Sequence, residues 1–479
     1  MSMLVNALRT KNTVTENGMV TNSSSLSSTL DLFFTIGAVR KSIGTLNGAQ
    51  RIIAKFEAAR NEDALVTRKL LFWARDIRGG AGEREVFRVL LRHTAKNHPQ
   101  DVIDNIELVS EFGRWDDLFC LFNTQVETEA IKVIVNALKE GNGLVAKWLP
   151  RLGGKVPDHK KHIANKVRSA MNLGPKEYRQ MLVKLTNVVE TPMCSKEFDK
   201  INYEHVPSVA MSRYSKAFSK NDTERFNDYK QSLIDGEAKI NAGALYPYDV
   251  TKNLQYGDSD LANEQWKSLP NFMEGSFERV LPVCDVSGSM QTEIGNGITS
   301  AMDVCISLGL YISERNEGVF KDAFVTFSES PKLQYLTGDL KSRFHQLQSA
   351  DWGYGTNLEK TFSYILNQGV KHNVPESEMP TCILIISDME FNEASRIDDS
   401  AFDMIRRKYE ECGYMMPKIV FWNLCSRHDN MPVTKDDNET ALVSGFSPSI
   451  LKTVLSGNAM NPIQIMLDTI NQPRYEAIK

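Results

Sequence analysis

Long apolar runs are missing from this sequence, and this bears on where the protein works. No stretch approaches the ~20 consecutive apolar residues that span a bilayer, and the N-terminal MSMLVNALRTKN has too short an apolar run for a secretory signal. The seven cysteines are odd in number and never spaced C-x-x-C, which is typical of reduced thiols rather than disulfides or a zinc site. We therefore expect a cytoplasmic protein without membrane contact.

The common catalytic motifs are also missing. The sequence has no G-x-x-x-x-G-K-[ST] phosphate loop and no H-E-x-x-H zinc motif, and VCDVSGS holds S-G-S instead of the G-x-S-x-G elbow of hydrolases. The glycines of RGGAGER follow a helical segment, whereas a dinucleotide-binding turn follows a strand. These observations predict a protein that is not an enzyme. A metal-assisted nuclease, the alternative, would need a second metal or an activated nucleophile.

What the sequence does contain is an ordinary globular composition with an uneven charge. Its 479 residues are 42% hydrophobic and 24% charged, which predicts two to four folded domains. Residues 1–270 carry a net charge of +6, whereas residues 271–479 carry −10. This division indicates a first module that tolerates polyanions and a second that suits cations. The alternative is a chance fluctuation of charge between domains.

The helical part of the chain is predicted from apolar spacing. Residues 1–40 are rich in Ser, Thr and Asn and are predicted to form an N-terminal arm. Residues 41–270 contain segments such as AQRIIAKFEAAR and REVFRVLLRHTAK with the 3.6-residue period of helices. The stretch 235–270 is expected to be a less regular connector. Stacked helix pairs of a HEAT-like α-solenoid fit this pattern, and an irregular helical bundle is the alternative.

Residues 271–479 follow a different pattern. The runs RVLPVCDV, DAFVTFS, TCILIISDM and KIVFWNL are short and rich in β-branched residues, and helical segments alternate with them. This alternation predicts a doubly wound, Rossmann-like α/β domain with a largely parallel sheet and a C-terminal helix. Binding loops are expected at the carboxyl ends of its strands.

One motif in this domain has the chemistry of a cation site. The sequence Asp285-Val286-Ser287-Gly288-Ser289 directly follows the run VLPVC, so a turn there can direct Asp285, Ser287 and Ser289 toward one point. Thr356 and Asp388 follow at other loop or strand-end positions. Two carboxylates and three hydroxyls form an oxygen-only set that suits Mg²⁺ or another divalent cation. A helix-capping corner is the alternative reading.

These five positions resemble the metal-ion-dependent adhesion site of von Willebrand factor A domains. The resemblance implies that Ser287 and Ser289 are direct ligands and that Asp285 and Asp388 bind directly or through water. The resemblance also implies that Thr356 binds the cation in one conformation of the site and not in another. One coordination position is left for a partner's carboxylate. The chain departs from the family at Met389, where many members have glycine, and Glu390 then either adds a carboxylate or blocks the partner.

The order of the two modules resembles the Ro autoantigen family, in which a ring of HEAT-like helices, the TROVE module, is closed by a von Willebrand factor A domain. LLFWARDIRGGAGERE, KINYEHVPSVAMSRYSKAF and FWNLCSR are similar to a Ro-related family of plants and large DNA viruses, including phages. The resemblance implies RNA binding, with single-stranded RNA in the ring and structured small RNAs outside.

Phosphate neutralisation requires Lys and Arg, and unstacked bases require flat side chains. Trp73, Trp148 and Tyr214 are the candidate platforms, although core packing is an alternative for the two tryptophans and a solvated helix face is an alternative for regularly spaced arginines. The cationic candidates are Arg75, Arg78, Arg84, Arg88, Lys147, Arg151, Lys155, Lys160, Lys161, Lys166, Arg168, Arg213 and Lys216.

The expected function is therefore a non-enzymatic RNA-binding scaffold, a ribonucleoprotein component. Its partner would be small noncoding or single-stranded RNA, and its Mg²⁺ site would recruit a protein carboxylate or close the ring. The alternative is a metal-dependent protein-interaction or assembly component that does not bind RNA. A viral assembly component is one form of this alternative.

Overall fold

The computed structural model of the chain describes residues 11–153, 156–294, 299–326, 331–350, 357–393, 400–426, 428–456 and 460–479. Within these ranges, a largely helical first part is followed by a second part built on a mixed sheet. The predicted order of a helical region and an α/β region is confirmed at this level. None of the described helices is long and apolar enough to cross a membrane.

Most helices of the helical region, residues 28–267, bury one face. In the segment Arg84–Asn97, for example, Val86, Phe87, Leu90 and Leu91 are buried on one side, as helical periodicity requires. The helices of this region are Ser28–Ile36 (α1), Leu46–Glu62 (α2), Ala64–Arg75 (α3), Arg84–Asn97 (α4), Pro99–Ile103 (α5), Leu108–Phe112 (α6), Glu127–Lys139 (α7), Gly143–Trp148 (α8), Asp158–Ala170 (α9), Pro175–Leu185 (α10), Glu190–Cys194 (α11), Ser208–Asn221 (α12), Thr223–Ile234 (α13), Pro247–Tyr256 (α14) and Ser259–Lys267 (α15).

The stretch expected to be an irregular connector, 235–270, contains α14 and α15. Both helices begin with a strong signal: Pro247 is the first residue of α14, and the Asp258 side chain accepts a hydrogen bond from the Leu261 N–H of α15. They pack against each other, and Trp266 is buried between the two parts of the chain. The stretch is therefore helical over Pro247–Tyr256 and Ser259–Lys267, and irregular over residues 235–246 and 268–279.

The sheet lies in the α/β region, residues 280–470. Its six described strands lie side by side in the order Thr440–Ser444, Lys418–Asn423, Cys382–Ser387, Val280–Cys284, Ala323–Thr326 and Leu333–Tyr335, and the last of these alone is antiparallel to its neighbour. The strands are Val280–Cys284 (β3), Ala323–Thr326 (β6), Leu333–Tyr335 (β7), Cys382–Ser387 (β8), Lys418–Asn423 (β9) and Thr440–Ser444 (β10), and the helices are Ala301–Arg315 (α16), Leu340–Gln348 (α17), Leu358–Lys371 (α18), Ala401–Cys412 (α19), Leu451–Val454 (α20) and Pro462–Ile470 (α21). The four strands predicted from apolar runs are all present.

Both ends of the helical region contact the α/β region. At one end, α1 packs on β10, where a Cβ at Gly37 would lie 2.2 Å from the Gly445 nitrogen. Nearby, the buried Asp76 accepts hydrogen bonds from Arg474 Nη2 at 2.9 Å and Tyr475 Oη at 3.0 Å. At the other end, α14 packs on α16, and Arg315 Nη2 donates to the Trp266 carbonyl at 2.8 Å. The helical region is thus fastened to the α/β region at two places.

The segment predicted as an arm contains structure of its own. A hairpin of Lys11–Val14 (β1) and Val20–Asn22 (β2) lies on the α/β region, with a bridge from Asn22 to Met431. The helix α1 follows, and eight of its nine residues are buried. The cysteines within the described residues form no disulfide bond, and Cys194 is exposed rather than in the core.

Candidate cation site and central cavity

The loop after β3 places the predicted cation ligands in a compact turn. The Asp285 Oδ1 accepts a hydrogen bond from the Ser287 N–H at 2.9 Å, which closes the turn. A 3-10 helix, Gly288–Gln291, follows at once. The Ser287 and Ser289 hydroxyl oxygens lie 2.8 Å apart. Adjacent ligands of an octahedral Mg²⁺ lie roughly 2.9 Å apart, since each is about 2.1 Å from the ion, so this pair fits that ion.

The second carboxylate follows β8, which pairs with β3 in parallel. Asp388 is buried and its Oδ1 accepts the Glu390 N–H at 3.2 Å. Ser387 Oγ, one residue earlier, donates to Asp285 Oδ2 at 2.6 Å and so joins the two loops. Ser387 was missed by sequence reasoning, although its position in IISD next to Asp388 was a usable signal.

Met389 stands where many von Willebrand factor A domains have glycine, and it adopts a left-handed backbone with φ of 68°. This conformation costs about 1 kcal/mol for a residue with a side chain. Met389 is fully buried, so packing compensates for the strain and the turn forms without glycine.

The two carboxylates, Asp285 and Asp388, are both buried and interact electrostatically. Asp285 is completely buried, and burial together with the charge of Asp388 raises the pKa of Asp285 to about 7. A divalent cation would remove this repulsion. The residues present therefore fit a cation by donor type, by spacing and by charge. Thr356, the fifth predicted ligand, lies outside the described residues.

Glu390 holds the N-terminal hairpin. Its buried carboxylate accepts the Glu16 N–H at 2.6 Å and the Asn430 side-chain amide at 3.0 Å, and it lies 3.1 Å from His428 Nδ1. Glu16, Glu390 and His428 each offer a ligand atom within 4.8 Å of the others. In this arrangement Glu390 Oε2 binds the hairpin, and Glu390 Oε1 faces Asn430 and His428 of the α/β region.

We expect Glu390→Ala to release the N-terminal hairpin. The substitution leaves the Glu16 N–H and the buried Asn430 amide without their acceptor, which destabilises the attachment by about 1–3 kcal/mol. Limited proteolysis should then cut residues 11–26 faster than in the unmodified protein. The control is Glu393→Ala, because the exposed Glu393 contacts the hairpin through its backbone N–H, which donates to the Asn17 carbonyl. Equal cleavage rates in the two variants would contradict this role.

A cavity of about 1070 Å³ lies between the helical region and the α/β region. The helical region lines it with Arg84, Lys147, Arg213 and Lys252 among others, and the α/β region contributes Phe446. Its described lining holds eight Lys and Arg side chains against four Asp and Glu side chains. Six of these eight cations pair with an acidic side chain. Within the described residues, the positive charge left to attract a polyanion therefore comes from Arg213 and Lys252.

Four of the predicted RNA contacts line this cavity: Arg75, Arg84, Lys147 and Arg213. The predicted RNA contact of Arg75 needs correction. Only 6% of Arg75 is exposed, and its Nε donates to the buried Asp117 at 2.7 Å. Its charge is compensated within the fold. Arg213 is exposed and forms no ion pair within the described residues, and the same holds for the half-buried Lys252.

The other predicted contacts lie outside the described lining of the cavity. Arg88 is not a free cation, because it binds Asp116 and Asp117. Lys161 and Lys166 pair with acidic side chains, and Arg168 donates to Asn165. Lys155 lies outside the described residues. Those that are exposed without an ion pair in the described part of the chain are Arg78, Arg151, Lys160 and Lys216.

Sequence reasoning missed four cationic residues of the lining: Arg40, Arg114, Lys200 and Lys252. They come from separate segments, so no local charge cluster marks them. Arg114 has a specific contact, with its guanidinium 4.0 Å from the centre of the Trp148 ring.

The candidate stacking platforms differ in access. Trp73 is 3% exposed and packs on Phe33, so it belongs to the core. Trp148 is half-buried in the cavity wall, with one face covered by Arg114. Tyr214 is half-buried and donates to Glu190 at 3.0 Å. Trp148 is the candidate that the structure places in the cavity.

The fold and the site together define a class: a helical region fastened at both ends to an α/β domain that carries a candidate cation site. Residues 15–143 and 150–276 match the family described as a domain of unknown function (DUF2828), which covers more than half of the chain. The chain belongs to this family. Residues 279–474 match a second domain of unknown function (DUF7788).

Two individual proteins are similar to the chain. An uncharacterised protein of Acanthamoeba polyphaga mimivirus is 29% identical over 516 residues, covering 95% of this chain and 86% of the relative. The crystal structure of the Deinococcus radiodurans RO (RSR) protein aligns with a TM-score of 0.49 and 12% identity, over 93% of this chain and 99% of that chain.

Proposed function

We propose that the protein is a non-enzymatic RNA-binding scaffold whose central cavity takes single-stranded RNA. In this proposal the residues Asp285, Ser287, Ser289 and Asp388 hold Mg²⁺ or another divalent cation. The order of a helical module and an α/β module resembles the Ro autoantigen family, and this resemblance implies RNA binding.

The observation that carries the proposal is the cationic cavity. Arg213 and Lys252 line it without ion pairs among the described residues, and Trp148 offers an aromatic surface beside Lys147. Lys and Arg neutralise phosphates, and an aromatic ring accepts any unstacked base. A cavity of about 1070 Å³ has room for a few nucleotides of a single strand. This chemistry favours a single strand without strong sequence preference.

The bound cation would supply fixed positive charge that balances Asp285 and Asp388 and holds the loop after β3. The chain's own residues position the ligands: Ser387 orients Asp285, and the Ser287 N–H fixes the turn. The described ligands are largely buried, with Ser289 the most exposed of the four. This burial favours a role in holding the fold over direct capture of a partner's carboxylate.

The decisive test uses variants that differ only in where the charge lies. We expect Arg213→Glu with Lys252→Glu to weaken binding of a single-stranded oligouridine by about tenfold or more and to lower the salt dependence by about 0.7 per lost phosphate contact. The control is Lys216→Glu with Lys160→Glu, which changes equal charge outside the described cavity lining. Lys216 lies on the same helix as Arg213. Fluorescence anisotropy at several salt concentrations measures both.

Equal weakening of RNA binding by both pairs of substitutions would indicate that RNA binds the outer surface instead of the cavity. Binding by neither the parent protein nor the variants at near-physiological salt would reject the RNA-binding function. Metal-dependent association with a protein that survives nuclease treatment would then support the assembly alternative.

A further inference from the structure

The cation site and the cavity wall are consecutive parts of one loop. The two-stranded hairpin of Glu293–Ile294 (β4) and Thr299–Ser300 (β5) directly follows the 3-10 helix that contains Ser289. Ile294 and Thr299 both line the cavity. Ile294 follows Ser289 by five residues, so the two Cα atoms lie at most about 17 Å apart.

Backbone hydrogen bonds connect the turn that contains Ser287 and Ser289 to the base of the β4–β5 hairpin. Met290 N–H donates to the Ser287 carbonyl at 3.0 Å, and Thr292 N–H donates to the Ser289 carbonyl at 3.2 Å. The Thr292 carbonyl in turn accepts the Ala301 N–H at 3.0 Å, which closes the base of the hairpin. The position of the hairpin therefore depends on the conformation of the serine ligands.

A second route passes through helix packing. Ser300 at the end of β5 caps α16, where its hydroxyl accepts the Asp303 N–H at 3.1 Å. Helix α16 packs on α14, and α14 supplies Tyr248, Asp249 and Lys252 to the cavity wall. A change at the loop after β3 thus has two physical connections to the cavity.

We propose that a divalent cation at Asp285, Ser287, Ser289 and Asp388 and single-stranded RNA in the cavity favour each other's binding. This inference rests on the proposed function and adds its regulation. Without a cation, the two serine hydroxyls satisfy each other and the buried carboxylates repel. A bound cation fixes both loops, so RNA that packs against Ile294 and Thr299 meets a wall that is already ordered. By linkage, RNA must raise cation affinity by the same factor.

The experiment measures oligouridine affinity of the full chain by fluorescence anisotropy, without divalent cation and with saturating Mg²⁺, at constant ionic strength. We expect Mg²⁺ to tighten binding by about fivefold or more. Ser287→Ala with Ser289→Ala removes the cation ligands but leaves the cavity cations, and this variant should lose the Mg²⁺ effect. It also controls for Mg²⁺ that binds the RNA itself.

A reciprocal measurement on the unmodified protein does not depend on how the variant folds. Isothermal titration of Mg²⁺ should give about the same fold increase in affinity when RNA is present. Equal Mg²⁺ affinity with and without RNA would overturn the coupling and leave the RNA-binding function intact. Absence of any RNA binding would overturn both, whereas RNA binding that Mg²⁺ tightens equally in the serine variant would overturn the coupling alone.

Discussion

Replacement of Asp117 by alanine is expected to lower the free energy of unfolding by about 3–5 kcal/mol, because it leaves a buried charge without its partner. Asp117 is fully buried and accepts Arg75 Nε and Arg88 Nε, both at 2.7 Å, and the Arg114 N–H at 2.9 Å. Arg75 has almost no access to water, so solvation cannot replace the lost carboxylate. Urea denaturation followed by tryptophan fluorescence measures the change.

The control for Asp117 is Glu129→Ala. Glu129 pairs with Lys132 at 2.7 Å, and both side chains are solvent-exposed, so this loss is expected to stay within about 0.5 kcal/mol. If Asp117→Ala proved as stable as Glu129→Ala, the arginines at this position would be solvated and the account of a compensated buried charge would be wrong.

The second large effect is expected at the cation site. At an Mg²⁺ concentration of 100 times its Kd, the unmodified protein should gain about 2.7 kcal/mol of stability, while Asp285→Asn should gain almost none. Without divalent cation the order reverses: the variant should match or exceed the unmodified protein, because it removes one of two buried carboxylates that repel each other. Thermal unfolding with Mg²⁺ or with chelator measures both arms.

Asp436→Asn is the matched control for this experiment. It removes the same charge from an exposed position of the same region, and the Mg²⁺ stabilisation should be unchanged. An equal gain in stability from Mg²⁺ in Asp285→Asn would show that the ion binds elsewhere and that the proposed site is wrong.

The sheet and the positions of the loops after β3 and β8 were predictable because their signals are local. The run VLPVC is apolar at every position, as a central parallel strand requires, and Asp285 follows it directly. Asp388 follows the run CILII in the same way. Because the carboxyl ends of neighbouring parallel strands meet, the two carboxylates were expected together.

Other elements were missed because tertiary packing determines them. Helix α1 is buried all round, so STLDLFFTI lacks the polar face that marks a surface helix. The buried state of Arg75 depends on Asp117, 42 residues away, and nothing in the sequence near Arg75 indicates it. The cavity is assembled from many distant segments, so its lining could not be read from local charge.

The contact of α1 with β10 has a consequence for biosynthesis. The Phe33 carbonyl of α1 accepts a hydrogen bond from Ser444 Oγ at 3.0 Å, and Ser444 is made 411 residues later. At a translation rate of about 5–20 residues per second, the apolar helix waits roughly 20–80 s for its partner. During that interval the face of α1 that later contacts β10 is exposed, while α2, the next helix, already covers another face. Exposed apolar surface of this kind is what chaperones bind. Successful production of this protein should therefore depend on chaperone supply and on translation speed more than its final stability suggests.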